Sequence, residues 1–291
     1  MKSRLHLPKL QPPPRTILEY LIAHFPHIQA DTWSGRFGSG KVTLDDGSIL
    51  NADSPYRHGV TVLYSREVAE EPEPVAEAAI LFQDSDILVA DKPHGVVVTP
   101  AGACVERSLL AQLQRQTGLS ELAPVHRLDR ETAGLVLFTI RARDRGSYHR
   151  LFSSRSVHRE YLAVAKLGTM DGKEWEIRNR LEAGEPWFRR RIAGETDAAP
   201  NAITRIELVE SQNGLGLFRL LPETGKKHQL RVHMASIGYP IVGDLFYPEV
   251  RQQTDSDSPL QLLAHRLAFD DPLSGEPRSF TSTRKLIWPV E

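Results

Sequence analysis

The sequence predicts an α+β fold in which a mixed, largely antiparallel sheet carries peripheral helices, preceded by a small N-terminal α/β module. Segments with strand character outnumber segments with helical periodicity. The strands come in runs joined by short turns, which favours antiparallel pairing. An acidic segment broken by prolines, Glu70 to Pro74, separates a short N-terminal part from the remainder. Such a composition is typical of a linker between domains.

The N-terminal part contains one predicted helix, one hairpin and one further strand. The first ~15 residues carry four prolines and are predicted to form an extended arm. Residues 16–25 place apolar side chains at helical spacing, and Thr16 is a suitable cap. Residues 41–50 predict a hairpin that turns at an Asp-Gly pair, and residues 58–64 predict a strand.

A glycine-rich stretch from Gly35 to Lys41 approximates a phosphate-binding loop. Val42 stands where that motif needs a Ser or Thr for Mg²⁺, and no strand clearly precedes the stretch. We therefore assign these glycines to the turn into the hairpin.

The larger part of the chain is predicted to alternate strands with a few helices. Two segments have apolar residues on one helical face, at 107–117 and 143–153. Short apolar or alternating runs predict strands at 79–82, 87–90, 135–140, 161–165 and 215–220.

Composition limits the possible classes of protein. A single cysteine, Cys104, excludes an intramolecular disulfide and fits a reducing compartment. No stretch approaches the roughly 20 apolar residues that span a bilayer, and the N-terminus lacks a signal-peptide core. We therefore expect a cytoplasmic protein that has no membrane partner and acts as a monomer.

The formal net charge of −1 is not that of a typical nucleic-acid-binding protein. The charge is unevenly spread, however. Residues 67–77 hold five glutamates and no basic residue, whereas residues 141–159 hold six arginines against one aspartate. Local clusters decide phosphate contact, so the net charge does not exclude a nucleic-acid partner.

One carboxylate, Asp129, lies between Arg127 and Arg130 just before the apolar run 135–140. Neighbouring cations favour the ionised form of a carboxylate. An ionised, rigidly held aspartate can act as a nucleophile or a general base. A surface ion pair or a turn cap uses the same residue types, so the local sequence leaves both interpretations open.

Four segments, in this order and spacing, resemble the motif set of the RluA-like RNA pseudouridine synthases. They are residues 84–95, 126–134, 223–234 and 238–244, and the resemblance extends over about residues 79 to 285. It implies a pseudouridine synthase catalytic domain at 79–291, after an acidic linker at 66–78. Residues 1–65 look like a degenerate S4-type RNA-binding module, and an accessory module without a ligand is the alternative.

The resemblance implies isomerisation of specific uridines to pseudouridine in ribosomal or transfer RNA, without a metal or cofactor. It identifies Asp129 as the catalytic aspartate, by attack on the sugar C1′ or by removal of the 2′ proton. It makes Tyr161 the active-site tyrosine, whose ring can stack on the detached uracil. Arg231 is expected to pair with Asp129, which typically lowers a carboxylate pKa by about 1–3 units.

Further residues are expected to bind the substrate. By resemblance Arg127 fills the space vacated by the flipped uridine, and Leu230 packs against the uracil. Each has a structural alternative, since Arg127 could instead be a second ion-pair partner of Asp129. Candidates for phosphate contact are Arg150, Arg155 and Arg159, with Arg141, Arg143 and Arg189 to Arg191 as further possibilities.

Two alternatives belong to other functional classes. One is a non-catalytic RNA-binding protein on the same scaffold. The other is a glycosidase-like hydrolase, which needs a second positioned carboxylate. His228 and His233 lack a nearby third ligand, so we interpret both as structural. The chain departs from the family pattern at Ala133, usually Ser, and near Leu263, commonly His.

Overall fold

The computed structural model describes residues 2–25, 28–65, 77–101, 104–168, 172–186, 188–195, 197–252, 254 and 258–288. The chain divides into two compact units, Met1–Glu70 and Glu71–Glu291. Most of the acidic segment predicted as a linker, residues 66–76, lies outside the described residues. Within the described residues, no helix has the length and apolar character needed to cross a bilayer.

The first unit is a three-stranded antiparallel sheet with two helices. Its elements are β1 (Lys2–His6), α1 (Ile17–His24), α2 (Ala30–Gly38), β2 (Val42–Leu44) and β3 (Thr61–Ser65), and the strand order is β1-β3-β2. The Thr16 hydroxyl accepts a hydrogen bond from the Glu19 amide, which confirms the predicted cap. Trp33, Leu21 and Val62 are fully buried and form the centre of its core.

Two expectations for the first unit are wrong. Lys2–His6 is a strand paired with β3, not an extended arm, because its backbone groups complete the ladder and Leu5 and Leu7 pack into the core. The prolines begin only after this strand. Gly35 lies inside α2, so of the glycines assigned to the turn only Gly40, with φ of 68°, adopts a left-handed conformation.

The second unit contains one large mixed sheet. The strands of this unit are β4 (Ala79–Gln83), β5 (Ile87–Lys92), β6 (Ala123–Pro124), β7 (Ala133–Thr139), β8 (His158–Lys166), β9 (Glu174–Asn179), β10 (Leu181–Ala183), β11 (Arg190–Ile192), β12 (Ala202–Gln212), β13 (Leu215–Pro222), β14 (Leu262–Asp270) and β15 (Pro277–Thr281). Strands β10 and β11 pair with each other in a separate antiparallel sheet, and the others belong to the large sheet. The sheet order is β4-β5-β7-β14-β8-β13-β12-β9, with β15 on β14 and β6 on β7. All of these pairs are antiparallel except β7 with β14, which confirms the predicted fold class.

Three helices of the described chain accompany this sheet: α3 (Leu109–Thr117), α4 (Arg145–Ser153) and α5 (Gln229–Ser236). Alternate residues of β7 show that helices pack on both faces of the sheet. Val136 and Phe138 pack with α3 residues, whereas Leu135 and Leu137 pack with Tyr148 of α4 on the opposite face. The helices predicted at 107–117 and 143–153 are confirmed, although a single 3-10 turn (Ala142–Asp144) replaces the start of the second.

The start of β7 is fixed by a glycine. Gly134 has φ of 109°, and a Cβ atom at this position would lie 2.2 Å from the Ala264 carbonyl oxygen on β14. No other residue fits such a close approach of two backbones. Ala133 and Leu263, the two departures from the family pattern, are register partners in this parallel pair. Both departures therefore fall on one register pair, close behind the Asp129 segment.

Candidate active site

Side chains from the segment before β7, from α4 and β8, and from α5 and the segment before it meet around an open cleft of about 1160 Å³. Seven basic residues line it against two acidic ones, Asp129 and Glu223. The basic residues are Arg127, Arg150, Arg155, Arg159, Lys226, Lys227 and Arg231. The cleft is therefore strongly cationic although the chain as a whole has a net charge of −1.

The turn that carries Asp129 is held by the last residue of β5 and by the segment that follows this strand. Lys92 is fully buried and its ammonium donates to the carbonyl oxygens of Pro93 (3.0 Å), Val96 (2.7 Å) and Arg130 (3.1 Å). The Gly95 amide donates to the Arg130 carbonyl at 2.9 Å. Burial lowers the pKa of Lys92 to about 7, with Glu131 and Asp129 opposing this shift. Two segments far apart in sequence thus form one rigid support.

Asp129 itself is partly buried, with 25% of its side chain exposed. Its Oδ2 lies 3.9 Å from Arg231 Nη1, and its Oδ1 lies 4.0 Å from His228 Nε2. Burial raises the pKa of Asp129, and Arg231 only partly offsets this. The expectation of a lowered pKa is therefore wrong, because desolvation disfavours the charged form more than the nearby cations favour it.

Arg231 has a partner that the sequence did not reveal. It lies on α5, with 1% of its side chain exposed, and forms a bidentate ion pair with Asp244 through Nε (2.8 Å) and Nη2 (2.6 Å). Its Nη1 lies between Glu131 Oε2 at 3.5 Å and Asp129 at 3.9 Å. Arg231 does approach Asp129, as expected, but its short contacts are with Asp244.

Two neutral histidines adjoin the site. The Nδ1 atom of His228 lies 2.9 Å from the Tyr247 hydroxyl, and burial lowers the pKa of His228 to about 3. His126 stacks on Phe152, accepts a hydrogen bond from the Leu137 amide, and has a pKa lowered by burial to about 3. Both are uncharged at neutral pH and therefore suited to orientation, not to proton release.

No cluster of His, Cys, Asp and Glu suitable for a metal ion occurs among the described residues. His233 is buried, and its ring nitrogens contact Thr204 Oγ1 at 2.9 Å and Asn179 Oδ1 at 3.1 Å. These contacts match its interpretation as structural.

Tyr161 and Leu230 complete the apolar part of the cleft. Tyr161 is half-buried on β8, and burial raises the pKa of its hydroxyl. Leu230 is 8% exposed and packs in the same core cluster as Met234. We call Asp129, Tyr161, His228, Leu230 and Arg231 the floor of the cleft.

The exposed arginines Arg127, Arg150 and Arg155 also line the cleft, and we call them the rim. Among the described residues the ion pairs of Asp129 are those with His228 and Arg231, although the charge of Arg127 also acts to lower the pKa of Asp129. Arg150 donates to the Ser147 hydroxyl at 3.1 Å. Arg159, half-buried between rim and floor, donates to the Pro222 carbonyl oxygen at 3.2 Å.

The remaining candidate arginines do not line the cleft. Arg141 is neutralised by ion pairs with Asp86 and Asp144. Arg191 pairs with Glu182 at 2.8 Å. Sequence reasoning missed Lys226 and Lys227 at the cleft, although both lie in the quoted motif 223–234. The basic character of that motif was the available signal.

Such a site, with one carboxylate on the floor of a cationic cleft beside a tyrosine and an arginine, defines a class of RNA-modifying enzyme. The sequence profile of the family described as RNA pseudouridylate synthase matches residues 86–236. A dual-specificity RNA pseudouridine synthase RluA from Vibrio cholerae is 35% identical over 199 residues, 67% of this chain and 78% of that protein. The chain belongs to the RNA pseudouridine synthase family and isomerises uridine in RNA.

Other relatives agree. The ribosomal large subunit pseudouridine synthase D from Pseudomonas aeruginosa is 30% identical, over 86% of this chain and 82% of that protein. The solved human RNA pseudouridylate synthase domain containing 1 superposes with a TM-score of 0.61 at 26% identity, over 74% of this chain and 86% of that one. Family and activity predicted from the motifs are thereby confirmed, and neither the non-catalytic nor the hydrolase alternative gains support.

Proposed function

We propose that this enzyme converts specific uridines of ribosomal or transfer RNA to pseudouridine with Asp129 as its catalytic group. The supporting observation is the partly buried Asp129 carboxylate at the floor of a cleft lined by seven basic side chains. The names of the relatives include a dual-specificity enzyme and an enzyme of the large ribosomal subunit. The second name supports ribosomal RNA as a substrate, and the first supports more than one kind of target. Transfer RNA is proposed from the resemblance of the motifs.

The reaction breaks the N1–C1′ bond and forms a C5–C1′ bond. The uracil leaves with the electron pair of the broken bond, rotates, and is rejoined to C1′ through C5. The C5 proton is then released and N1 gains one, so nothing is oxidised and the atoms of the uridine are conserved overall. Attack of Asp129 on C1′ and removal of the 2′ proton by Asp129 both begin with its ionised carboxylate. Neither route requires a cofactor.

Each floor residue has a role in this scheme. The cation of Arg231 stabilises the ionised form of Asp129. The Tyr161 ring can stack on the detached uracil and its hydroxyl can take part in proton transfer at C5. Leu230 offers an apolar surface to the same base. Enclosing the base between these groups keeps it at the site while it rotates.

The rim and Arg159 are proposed to bind RNA. Unstacking a uridine costs a few kcal/mol, and the exposed guanidinium of Arg127 can stack in the vacated space. Arg150, Arg155 and Arg159 would contact the backbone phosphates. The exposure of Arg127, Arg150 and Arg155 supports this role, since their guanidinium groups are accessible to phosphate oxygens.

The remaining expectations are also proposals. Residues 1–65 would add affinity or target choice as an S4-like module, with 66–78 as linker and 79–291 as the catalytic domain. The protein would act in the cytoplasm as a monomer.

Mapping of modified uridines tests the proposed function. Ribosomal and transfer RNA from cells that lack the protein should lose pseudouridine at specific positions. Wild-type protein should restore it and an Asp129→Asn variant should not. An unchanged pseudouridine pattern in both RNA classes would contradict the proposal, and restoration by Asp129→Asn would contradict the role of Asp129.

A further inference from the structure

The turn that follows residue 240 is fixed to the central sheet. The Val242 amide donates to the Val164 carbonyl of β8 at 2.9 Å. Gly243 has φ of 76°, and a Cβ atom there would lie 2.5 Å from the Pro259 carbonyl oxygen. A side chain at this position would therefore displace the turn. Asp244 follows directly and is 2% exposed, so the backbone from which its carboxylate extends is fixed in place.

The Asp244 carboxylate is saturated by donors. It accepts both guanidinium bonds of Arg231, at 2.6 and 2.8 Å, and the Phe246 and Tyr247 amides at 2.8 and 3.2 Å. Bidentate charge-assisted pairs fix the orientation of a guanidinium as well as its position. The aromatic rings of Phe246 and Tyr247 lie 4.8 and 5.5 Å from the Arg231 guanidinium carbon. Arg231 is thus held in one orientation that leaves Nη1 towards Asp129.

The same turn orients the second neighbour of Asp129. The Tyr247 hydroxyl accepts a hydrogen bond from the Arg190 amide at 2.7 Å and lies 2.9 Å from His228 Nδ1. Donation of its own proton to Nδ1 leaves the His228 proton on Nε2, which is 4.0 Å from Asp129 Oδ1. Residues 244–247 therefore support both Arg231 and His228 beside the Asp129 carboxylate.

We propose that Asp244 is a positioning residue for the chemical step, which acts on Asp129 through Arg231 without touching the RNA. The inference rests on the proposed function of Asp129 and adds a residue outside the cleft lining to it. Arg231 shares Nη1 between two carboxylates at 3.5 and 3.9 Å, so a small rotation of the guanidinium would change which one it contacts. The two short bonds to Asp244 are the strongest restraint on that rotation, and the rings of Phe246 and Tyr247 add to it.

The test replaces Asp244 with asparagine, which keeps the shape but loses the charge of the bidentate pair. The substrate is bulk ribosomal and transfer RNA from cells lacking the protein, labelled with tritium at uracil C5. We expect the single-turnover rate of tritium release to fall by roughly 100-fold, as misplacement by about 1 Å can cause, with KM changed little. Asp244→Ser, whose hydroxyl can still accept a turn amide, replaces Asp244→Asn if that variant fails to fold.

Asp271 offers a matched control. It is also buried, accepts hydrogen bonds from Tyr148 at 3.1 Å and lies 3.4 Å from Arg278, but it does not line the cleft. Asp271→Asn should lower the free energy of unfolding and leave the single-turnover rate of the folded protein unchanged. Equal reductions of the rate in the two variants would overturn the proposal, because removal of any buried carboxylate would then be sufficient.

Two further readouts separate positioning from a merely structural role. In an Arg231→Lys background, Asp244→Asn should cost little further rate, since residues that act through one another are not additive. In the Asp244→Asn single variant, the acidic limb of the pH–rate profile should move to higher pH. The reason is that a displaced Arg231 lowers the pKa of Asp129 less than a correctly placed one does. The charged and titratable groups around Asp129, which act on its carboxylate and so on this profile, are Lys92, Arg127, Glu131, Tyr161, Lys227, His228 and Arg231.

Three outcomes would each overturn the role of Asp244. They are additive rate reductions by Asp244→Asn and Arg231→Lys, an acidic limb of the Asp244→Asn profile that does not move, and an acidic limb that moves to lower pH. Wild-type tritium release is measured first. Its absence would contradict the proposed function itself, whereas normal wild-type release with an unimpaired Asp244→Asn variant would contradict only the inference about Asp244.

Discussion

The floor and the rim of the cleft hold their arginines in opposite ways. On the floor, Arg231 is 1% exposed and fixed by Asp244, two aromatic rings and two further carboxylates. On the rim, Arg127, Arg150 and Arg155 are exposed, and Arg150 contacts only a serine hydroxyl among the interactions described. A reaction at one carbon atom requires fixed geometry, whereas phosphate contact requires accessible charge. One residue type therefore serves two physical purposes within one cleft.

The first prediction removes the reactive group of the floor and leaves the rim intact. Asp129→Asn should abolish isomerisation because the amide keeps the size but lacks the nucleophile or base. Affinity for RNA should stay within about tenfold, which is about 1.4 kcal/mol. Tritium release from uracil C5 and filter binding measure the two quantities. Near wild-type release would refute the mechanism, and a large drop in affinity would show that floor and rim are not separable.

The second prediction breaks the buried pair of the floor. Arg231→Ala leaves the Asp244 charge buried without a partner, which should lower the free energy of unfolding by about 3–5 kcal/mol. Because Arg231 lowers the pKa of Asp129, the acidic limb of activity should also move to higher pH. Urea unfolding and rate profiles measure these effects, with Arg231→Lys as a control that keeps the charge. Unchanged turnover in Arg231→Ala would show that Arg231 does not serve Asp129.

The sequence predicted the apolar scaffold better than the polar contacts. β7 was evident because the apolar run at residues 135–140 directly follows Gly134, and α3 and α4 because their apolar residues recur on one face. α5 could not be predicted from periodicity, because residues 229–234 are buried all round the helix. β1 was obscured by the prolines that follow it.

The site was predictable only where a motif carried the information. Asp129, Tyr161, Leu230 and Arg231 all line the cleft. The bidentate partner Asp244 was not found, since nothing in the local sequence shows which cation a carboxylate 13 residues away will meet. The sign of the Asp129 pKa shift was missed because burial depends on the whole fold, whereas the neighbouring arginines are visible in the sequence.

The third prediction weakens the rim alone. Replacing Arg150 and Arg155 together with glutamine should weaken binding to many RNAs alike and leave the single-turnover rate at saturating RNA nearly unchanged. The slope of log affinity against log salt should flatten by about 0.7 for each phosphate of single-stranded RNA that these arginines no longer bind. Salt titration of binding measures the slope.

Arg115 and Arg143 provide the matched control for the rim. They are 56% and 73% exposed, and neither lines the cleft. Their joint replacement with glutamine changes the net charge equally and should leave the slope close to that of the wild type. Equal slopes for both double variants would place the phosphate contacts outside the rim.

The last and smallest expected effect concerns Glu131, the second carboxylate on the floor side of Arg231. Its charge raises the pKa of Asp129, and its Oε2 lies closer to Arg231 Nη1 than Asp129 does, at 3.5 against 3.9 Å. Glu131→Gln removes the repulsion and releases Nη1 towards Asp129, and both changes lower the pKa of Asp129. Since activity requires the ionised carboxylate, the acidic limb of kcat/KM should move to lower pH, while RNA affinity and the salt slope stay unchanged. A limb that moves to higher pH would show that Glu131 supports Asp129 and does not compete with it for Arg231.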